Sequence, residues 1–429
     1  TNKQIFDALN YTPIKLKFIP NLGDLIEGKV DIPELRDLDI EALLGRDVVK
    51  SDKTLMSRTI AGKTVLVTGA GGSIGSELCR QILLQKPSHL LLLDISEFAI
   101  YNIFEELRGD GYNSGTQITP IIGSVQDKAV VQKIIDKFPI DTIYHAAAYK
   151  HVPLMEQNIM QCISNNVFGT KNVAEIAVGK GVKNFILIST DKAVNPTNYM
   201  GASKRLAELV CQHLSSKNAH TRFSIVRFGN VLGSSGSVVP LFKKQIEAGG
   251  PVTVTHKGVT RYFMTVREAA QLVIQAGSLD GDGEVYVLDM GEPIKIFDLA
   301  EKMIILSGKK PVAYPKRTMN IDEVPIQFIG LRPGEKMFEE LSFEKNLKGT
   351  SHPRIMAADD GHKSFEDFPA LLSAADKAIE ANNYTNLIEV VMRVCRDVAD
   401  SKSSIDIFHA PNSKHSSKIV SISKRQHLQ

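Results

Sequence analysis

The chain has 429 residues, 43% hydrophobic and 23% charged, with 51 Lys and Arg against 48 Asp and Glu for a formal net charge of +3. This is longer than one ordinary domain and supplies a large apolar core, while the near-neutral balance gives no electrostatic case for a nucleic-acid partner. Cys79, Cys162, Cys211 and Cys395 form no Cys-x-x-Cys pair, which argues against a metal centre or a disulfide framework and for a reducing compartment. No apolar run reaches the roughly 18 to 20 residues that span a bilayer.

Residues 1–60 hold few long apolar periods and several Asp, Pro and Gly breaks, and are expected to form an arm packed on the next domain. From Lys63 the pattern predicts strands at Thr64–Thr68, His89–Leu93, Ile118–Ile122, Thr142–His145 and Asn184–Ser189. Helices are predicted up to about Lys86, over Glu97–Arg108, over Asp127–Phe138 and through Val167–Val178. Almost wholly apolar strands separated by helical periods indicate a doubly wound parallel sheet of Rossmann type, assigned to 61–228. A smaller substrate lobe is expected over 229–345, interleaved with the sheet, then a helical segment over 346–400. The tail 401–429, with five Lys and Arg against one acid, reads as flexible and basic.

The run Thr68-Gly69-Ala70-Gly71-Gly72-Ser73-Ile74-Gly75 takes the first strand straight into a helix. Gly69 allows the tight turn, Gly72 lets the backbone approach a pyrophosphate, and Gly75 lets helix and sheet pack closely. Ser73 and Ile74 open the helix whose N-terminus favours phosphate charge. Asp94, ending the second strand, can accept hydrogen bonds from an adenosine ribose and would repel a 2′-phosphate, which selects NAD over NADP.

Downstream, Thr190 can hydrogen-bond a substrate hydroxyl, and Lys204, one turn beyond Met200 on the same helix face, can hold the nicotinamide ribose. Short-chain dehydrogenases place a tyrosine where Met200 stands, and a thioether takes no proton. Tyr199 is rotated about 100° from Met200 on a helix and is not promoted to base. Asp191 and Lys192 come directly after Thr190 as an acid and a base on one wall of the site.

The strings His145-Ala-Ala-Ala-Tyr-Lys-His-Val-Pro-Leu-Met-Glu156, Ser189-Thr-Asp-Lys-Ala-Val-Asn-Pro196, Arg227-Phe-Gly-Asn-Val-Leu-Gly-Ser-Ser-Gly236 and Leu331-Arg-Pro-Gly-Glu-Lys336 resemble those of CapD-like polysaccharide-biosynthesis proteins, which are extended short-chain dehydrogenases/reductases. Within them the chain is most similar to membrane-anchored UDP-N-acetylglucosamine 4,6-dehydratases of the WbpM and PglF type, from about Asp39 to Phe343. Long members carry transmembrane helices ahead of a segment like Asp39–Arg46, so the chain is expected to begin mid-protein. The full-length protein is then expected at the cytoplasmic face of a bacterial inner membrane, and as a homo-oligomer.

The resemblance implies tightly bound NAD, regenerated in each turnover, with Ala146 among its contacts. It also implies oxidation of the sugar at C4, elimination of water across C5 and C6, and reduction at C6, with C5 configuration retained, for surface-glycan or glycoprotein precursors. Asp191 is assigned as acid and Lys192 as base, which requires a neutral amine with its pKa lowered by burial or nearby positive charge. Arg261 and Arg332 are expected to pair with the diphosphate, Glu335 to accept from the uridine ribose, Asn230 to lie near the sugar diphosphate, and Lys150 with His151 to line the sugar pocket. A nucleotide-sugar 4-epimerase and an inactive dinucleotide-binding sensor remain the competing readings.

Overall fold

The computed structural model describes residues 51–109, 115–218, 220–315, 320–343, 347–359 and 367–395. Most of the expected arm, and the whole expected tail, lie outside them.

Six strands run in parallel before the chain turns to the second lobe: β1 Thr64–Thr68, β2 His89–Asp94, β3 Gln117–Ile122, β4 Thr142–His145, β5 Asn184–Ile188 and β6 Arg222–Arg227. β7 Glu284–Leu288, parallel to β6, follows the first part of the lobe, and β8 Leu347–Gly349 and β9 Ile355–Ala358 follow its second part. The nine-stranded order is β8-β9-β7-β6-β5-β4-β1-β2-β3, with β9 antiparallel to both of its neighbours. Chain order reverses at β1 and β4, which opens a crevice beyond their carboxyl ends.

Side-chain alternation explains why the strands are apolar throughout. Val65, Val67, Leu90 and Leu92 enter the core on one face, and Leu66, Leu91 and Leu93 the core on the other. Helices α1 Ser73–Leu83 and α2 Glu97–Arg108 cover the first face, joined by Val266–Ala276 returning from the second lobe. Lys128–Lys137, Thr170–Gly179 and Tyr199–Lys217 cover the second. Asp52 opens a short helix, Lys53–Ser57, and its backbone N–H donates to Gln275 on the returning helix.

Two segments differ from expectation. Ile159–Ile163, a π-helical turn Ser164–Gly169 and Thr170–Gly179 form the long helix before β5, and the turn sets Asn166 inward. The segment from 346 opens with β8 and β9 rather than a helix, because the lobe returns its chain to cap the open edge of β7. Helices Phe368–Glu380 and Tyr384–Val394 then form a hairpin over the outer side of Tyr199–Lys217, burying Leu206, Leu209 and Val210 beneath Phe368, Leu387 and Val391. All four cysteines are free and buried, and no helix among the described residues is long and apolar enough to cross a membrane.

Candidate active site

The glycine turn after β1 is shaped by close backbone approach. Gly69 has φ +67°, and a Cβ there would stand 2.6 Å from the Ala147 nitrogen. A Cβ on Gly75 would stand 1.9 Å from the Gly69 carbonyl oxygen, so α1 can meet the turn only with glycine at that position. Gly72 caps α1 without a side-chain hydrogen bond, which leaves N–H groups of the first turn for a ligand.

Asp94 holds this turn from β2. One carboxylate oxygen accepts from the Gly71 N–H at 2.9 Å and the other from the Ser96 N–H at 3.0 Å. Each oxygen keeps a further lone pair for a ribose hydroxyl. Gly69, Gly72, Asp94, Ala146 and Asn165 line a cleft of about 220 Å³ at the crevice between β1 and β4. The turn, the uncapped helix and the carboxylate fit an adenine dinucleotide, which Gly69, Gly72, Ser73, Ile74, Gly75, Asp94 and Ala146 would hold. Across the cleft, the Ser235 N–H donates to Ser73 Oγ at 3.1 Å, tying the Gly233–Ser237 turn to the start of α1.

The far wall grows from the end of β5. The Ser189 and Asp191 N–H groups donate to the Val226 and Phe228 carbonyls, so a 3₁₀ turn over Asp191–Ala193 is fastened beside β6. Asp191 is fully buried; its Oδ1 accepts from Thr190 Oγ1 at 2.9 Å and from Lys192 Nζ at 3.0 Å. Its Oδ2 has no protein partner and faces Gly229, where a Cβ would stand 3.2 Å away. A buried carboxylate oxygen left without a donor is costly unless a ligand supplies one.

Lys192 Nζ also lies 3.4 Å from Asn230 Oδ1 and 3.6 Å from Glu339 Oε1. Burial pulls the ammonium down, but the Asp191 and then the Glu339 carboxylate outweigh it, and its pKa ends above the ordinary lysine value. The expected lowering is therefore reversed in the free protein. Asp191 beside it is the larger cause, and the carboxylate at 339, far away in sequence, adds to it.

Lys204 behaves in the opposite way. It is 5% exposed, donates to the Ile188 carbonyl at 2.7 Å, and burial lowers its pKa to about 8 against a smaller upward pull from Glu208. Met200 packs with Met155 and Cys162, while Tyr199, on the adjacent helix position, is buried under the C-terminal hairpin. Behind this wall Glu208 receives Ser189 Oγ at 2.6 Å, both Nε and Nη2 of Arg227 at 2.7 and 2.6 Å, and Arg205 at 2.9 Å. Despite burial, the Arg227 guanidinium holds the Glu208 carboxyl down at about 2.

The second lobe supplies the third wall. Its segment 332–340 is fastened to the chain just after the Asp191–Ala193 turn by Thr197 Oγ1 and Asn198 Nδ2, which donate to the Gly334 carbonyl, and by Lys336 Nζ donating to the Val194 carbonyl. Arg261 is the hub of that segment. Its guanidinium bonds the Thr260, Lys336 and Met337 carbonyls and Glu335 Oε1, with Glu339 Oε1 3.5 Å from Nε. The guanidinium of Arg261, expected at the diphosphate, has its donors directed to acceptors of the chain itself. Glu335 Oε1 accepts from Arg261 and Thr255, and its Oε2, among the described residues, from the Arg332 N–H alone, which leaves that oxygen a further lone pair. Arg332 is exposed at the rim.

Lys150 and His151 sit on the loop after β4, and burial lowers both pKa values. A Cβ on Gly236 would stand 2.4 Å from the His151 ring, so His151 packs against the Gly233–Ser237 turn. Sequence reasoning missed Asn166, whose side chain bonds both the N–H and the carbonyl of Tyr149 and donates to Ser203 Oγ, fixing this loop to the catalytic helix. Two adjacent asparagines in an apolar helical stretch are its only local signal. Glu208 and Glu339 have none.

Residues 65–360 match the family described as polysaccharide biosynthesis protein. The capsular polysaccharide biosynthesis protein CapD of Staphylococcus aureus is 52% identical over 338 residues, which cover 79% of this chain and 55% of CapD. The chain thus spans about half the length of that relative. A UDP-N-acetylglucosamine 4,6-dehydratase (inverting) of Campylobacter jejuni subsp. jejuni serotype O:23/36 is 32% identical over 312 residues, covering 71% of this chain and 80% of that one. Among solved structures, a double mutant of DesIV, a dTDP-glucose 4,6-dehydratase of Streptomyces venezuelae with NAD and DAU bound, matches with a TM-score of 0.55 at 21% identity. It covers 65% of this chain and 88% of that one, a likeness of fold.

Proposed function

The chain belongs to the polysaccharide biosynthesis protein family, with the fold of the extended short-chain dehydrogenases/reductases, and from that premise we propose that it dehydrates UDP-N-acetylglucosamine to the UDP-linked 2-acetamido-2,6-dideoxy-4-keto sugar with retention at C5. The observation that carries this reading is the hydrogen-bonded chain Thr190–Asp191–Lys192, centred on buried Asp191 with one of its oxygens unpartnered toward Gly229. An epimerase has no use for an acid and a base aimed at C5 and C6. Bound NAD, held tightly, supplies the oxidising and reducing equivalents and is restored at the end of each turnover.

The proton traffic is set by the side chains. Thr190 accepts the C4 hydroxyl proton as it passes its own to Asp191 Oδ1. Lys192, as the free amine, takes the C5 proton, and Asp191 then gives its newly gained proton to the departing C6 oxygen, which leaves as water. Lys192 returns its proton to the same face of C5, which gives retention. Lys204 holds the cofactor ribose and adds positive charge, Met200 fills the space of a phenol without handling protons, Arg332 pairs with the diphosphate, Asn230 lies near it, and Lys150 lines the sugar pocket. The proposal extends to the whole protein as a homo-oligomer on the cytoplasmic face of the inner membrane, making precursors of surface glycans or glycoproteins.

Incubation with UDP-N-acetylglucosamine in D₂O, with the product read by ¹H NMR, tests it. The expected product is a 4-keto-6-deoxy sugar of retained C5 configuration. A 4-epimer would establish the epimerase, unchanged substrate the sensor, and inverted C5 the stereochemistry named for the Campylobacter relative.

A further inference from the structure

The acid–base pair is completed from the second lobe. Glu339 is 8% exposed, and its Oε1 lies 3.6 Å from Lys192 Nζ and 3.5 Å from Arg261 Nε. The groups facing Lys192 are Asp191 from its own turn, Asn230 from the strand beyond β6, and Glu339 from the lobe segment, with Arg261 behind Glu339 and Glu335 on the far side of Arg261. Arg261 is fixed by three backbone carbonyls, so it cannot swing away with the carboxylate it holds.

A carboxylate in buried contact with an ammonium favours the charged form, whereas a base for C5 must be neutral. We propose that Glu339 is a positioning residue that keeps Lys192 in its protonated resting form, so that the supply of neutral base is governed from the substrate lobe. Its place in turnover rests on the dehydratase reading; its hold on Lys192 does not. When that hold loosens, Lys192 gives its proton to solvent and its nitrogen lone pair becomes free for the C5 proton.

Competitive acetylation of the ligand-free protein with acetic anhydride at about pH 8, read by peptide mass spectrometry, measures the neutral fraction of Lys192 against the other lysines. Glu339→Gln should raise Lys192 labelling several-fold, and Glu339→Met, of similar volume, gives the same readout should the Gln variant not fold. Glu340→Gln alters the same segment, but its carboxylate bonds Asn195 and Lys336 rather than Lys192, so it should leave Lys192 labelling as it is. Equal labelling in wild type and both Glu339 variants overturns the proposal, as does an equal rise in Glu340→Gln, which would indicate loosening of the segment rather than loss of charge. In turnover, Glu339→Gln should move the acid limb of the pH–kcat profile to lower pH; an unmoved limb sinks the link to catalysis. If no product forms in the wild type, the dehydratase reading fails while the labelling still decides the role of Glu339.

Discussion

The cofactor cleft and the catalytic turn lie on opposite walls of one crevice, yet they are built from different materials. The cleft is largely backbone and small side chains: Gly69 and Gly72 from the turn after β1, the Asp94 carboxylate from β2, Gly123 after β3 and Ala146 after β4. The turn is charge: Asp191, Lys192, Lys204, Glu208 and Glu339, four of them nearly or wholly buried and drawn from segments far apart. Backbone recognition depends on shape and tolerates no Cβ at a few points. Buried charge depends on partners and fails when one is removed.

The contrast predicts that the two walls break independently. Asp191→Asn and Lys192→Ala should each lower turnover by roughly 10²–10⁴-fold while NAD remains bound. Gly75→Ala should do the reverse, losing the cofactor because its Cβ meets the Gly69 carbonyl, with the Lys192 environment untouched. Equilibrium dialysis with NAD beside product NMR on all three variants would expose any crossing of these effects.

Glu208→Ala tests the charged wall as a structural unit. It leaves Arg227, which is 0% exposed, without its carboxylate, and loss of one partner of such a pair costs about 3–5 kcal/mol. In the wild type the Glu208 carboxyl lies below its ordinary value. Its contribution is therefore present above the usual carboxylate range and lost as pH falls from there through about 2. Urea titration of wild type and variant between neutral and acid pH should converge at the acid end.

Smaller effects separate neighbours. Thr190→Val should slow the oxidation half-reaction, read as transient NADH absorbance, while Met200→Ala keeps substantial turnover. Tyr199→Phe should leave the transient intact, because that ring lies under the hairpin; its loss there would make Tyr199 the base. The smallest change is expected from Asp94→Ala, a weakened preference for NAD over NADP measured by competitive binding, with the Gly71 and Ser96 N–H groups also losing their side-chain acceptor.

Range decides how much of this is legible in the sequence. The strands β1 to β5 and the glycine turn show there because each is a local pattern, and the angular separation of Tyr199 from Met200 needs only helix geometry. The strand at Ile355–Ala358 is hidden because its few apolar residues give no period of their own; it is defined by the edge of β7. Lys192 is misjudged from sequence because the pull of Asp191 depends on a 3.0 Å contact that only the fold sets, and Glu339 adds a second carboxylate from far along the chain. Arg261 reads as a ligand contact because the sequence does not reveal carbonyls folding back onto a guanidinium.

The placement of β9 bears on how the protein is made. Synthesis delivers β7 with its outer edge unpaired, and the strand that covers it ends at Ala358. At about 5–20 residues per second, that edge waits on the order of several seconds for its partner. An uncovered strand edge is a template for another chain, so crowded polysomes are where this protein is most exposed to mispairing. Slow translation between 289 and 358 would lengthen the exposure and should lower soluble yield without changing a single residue of the finished molecule.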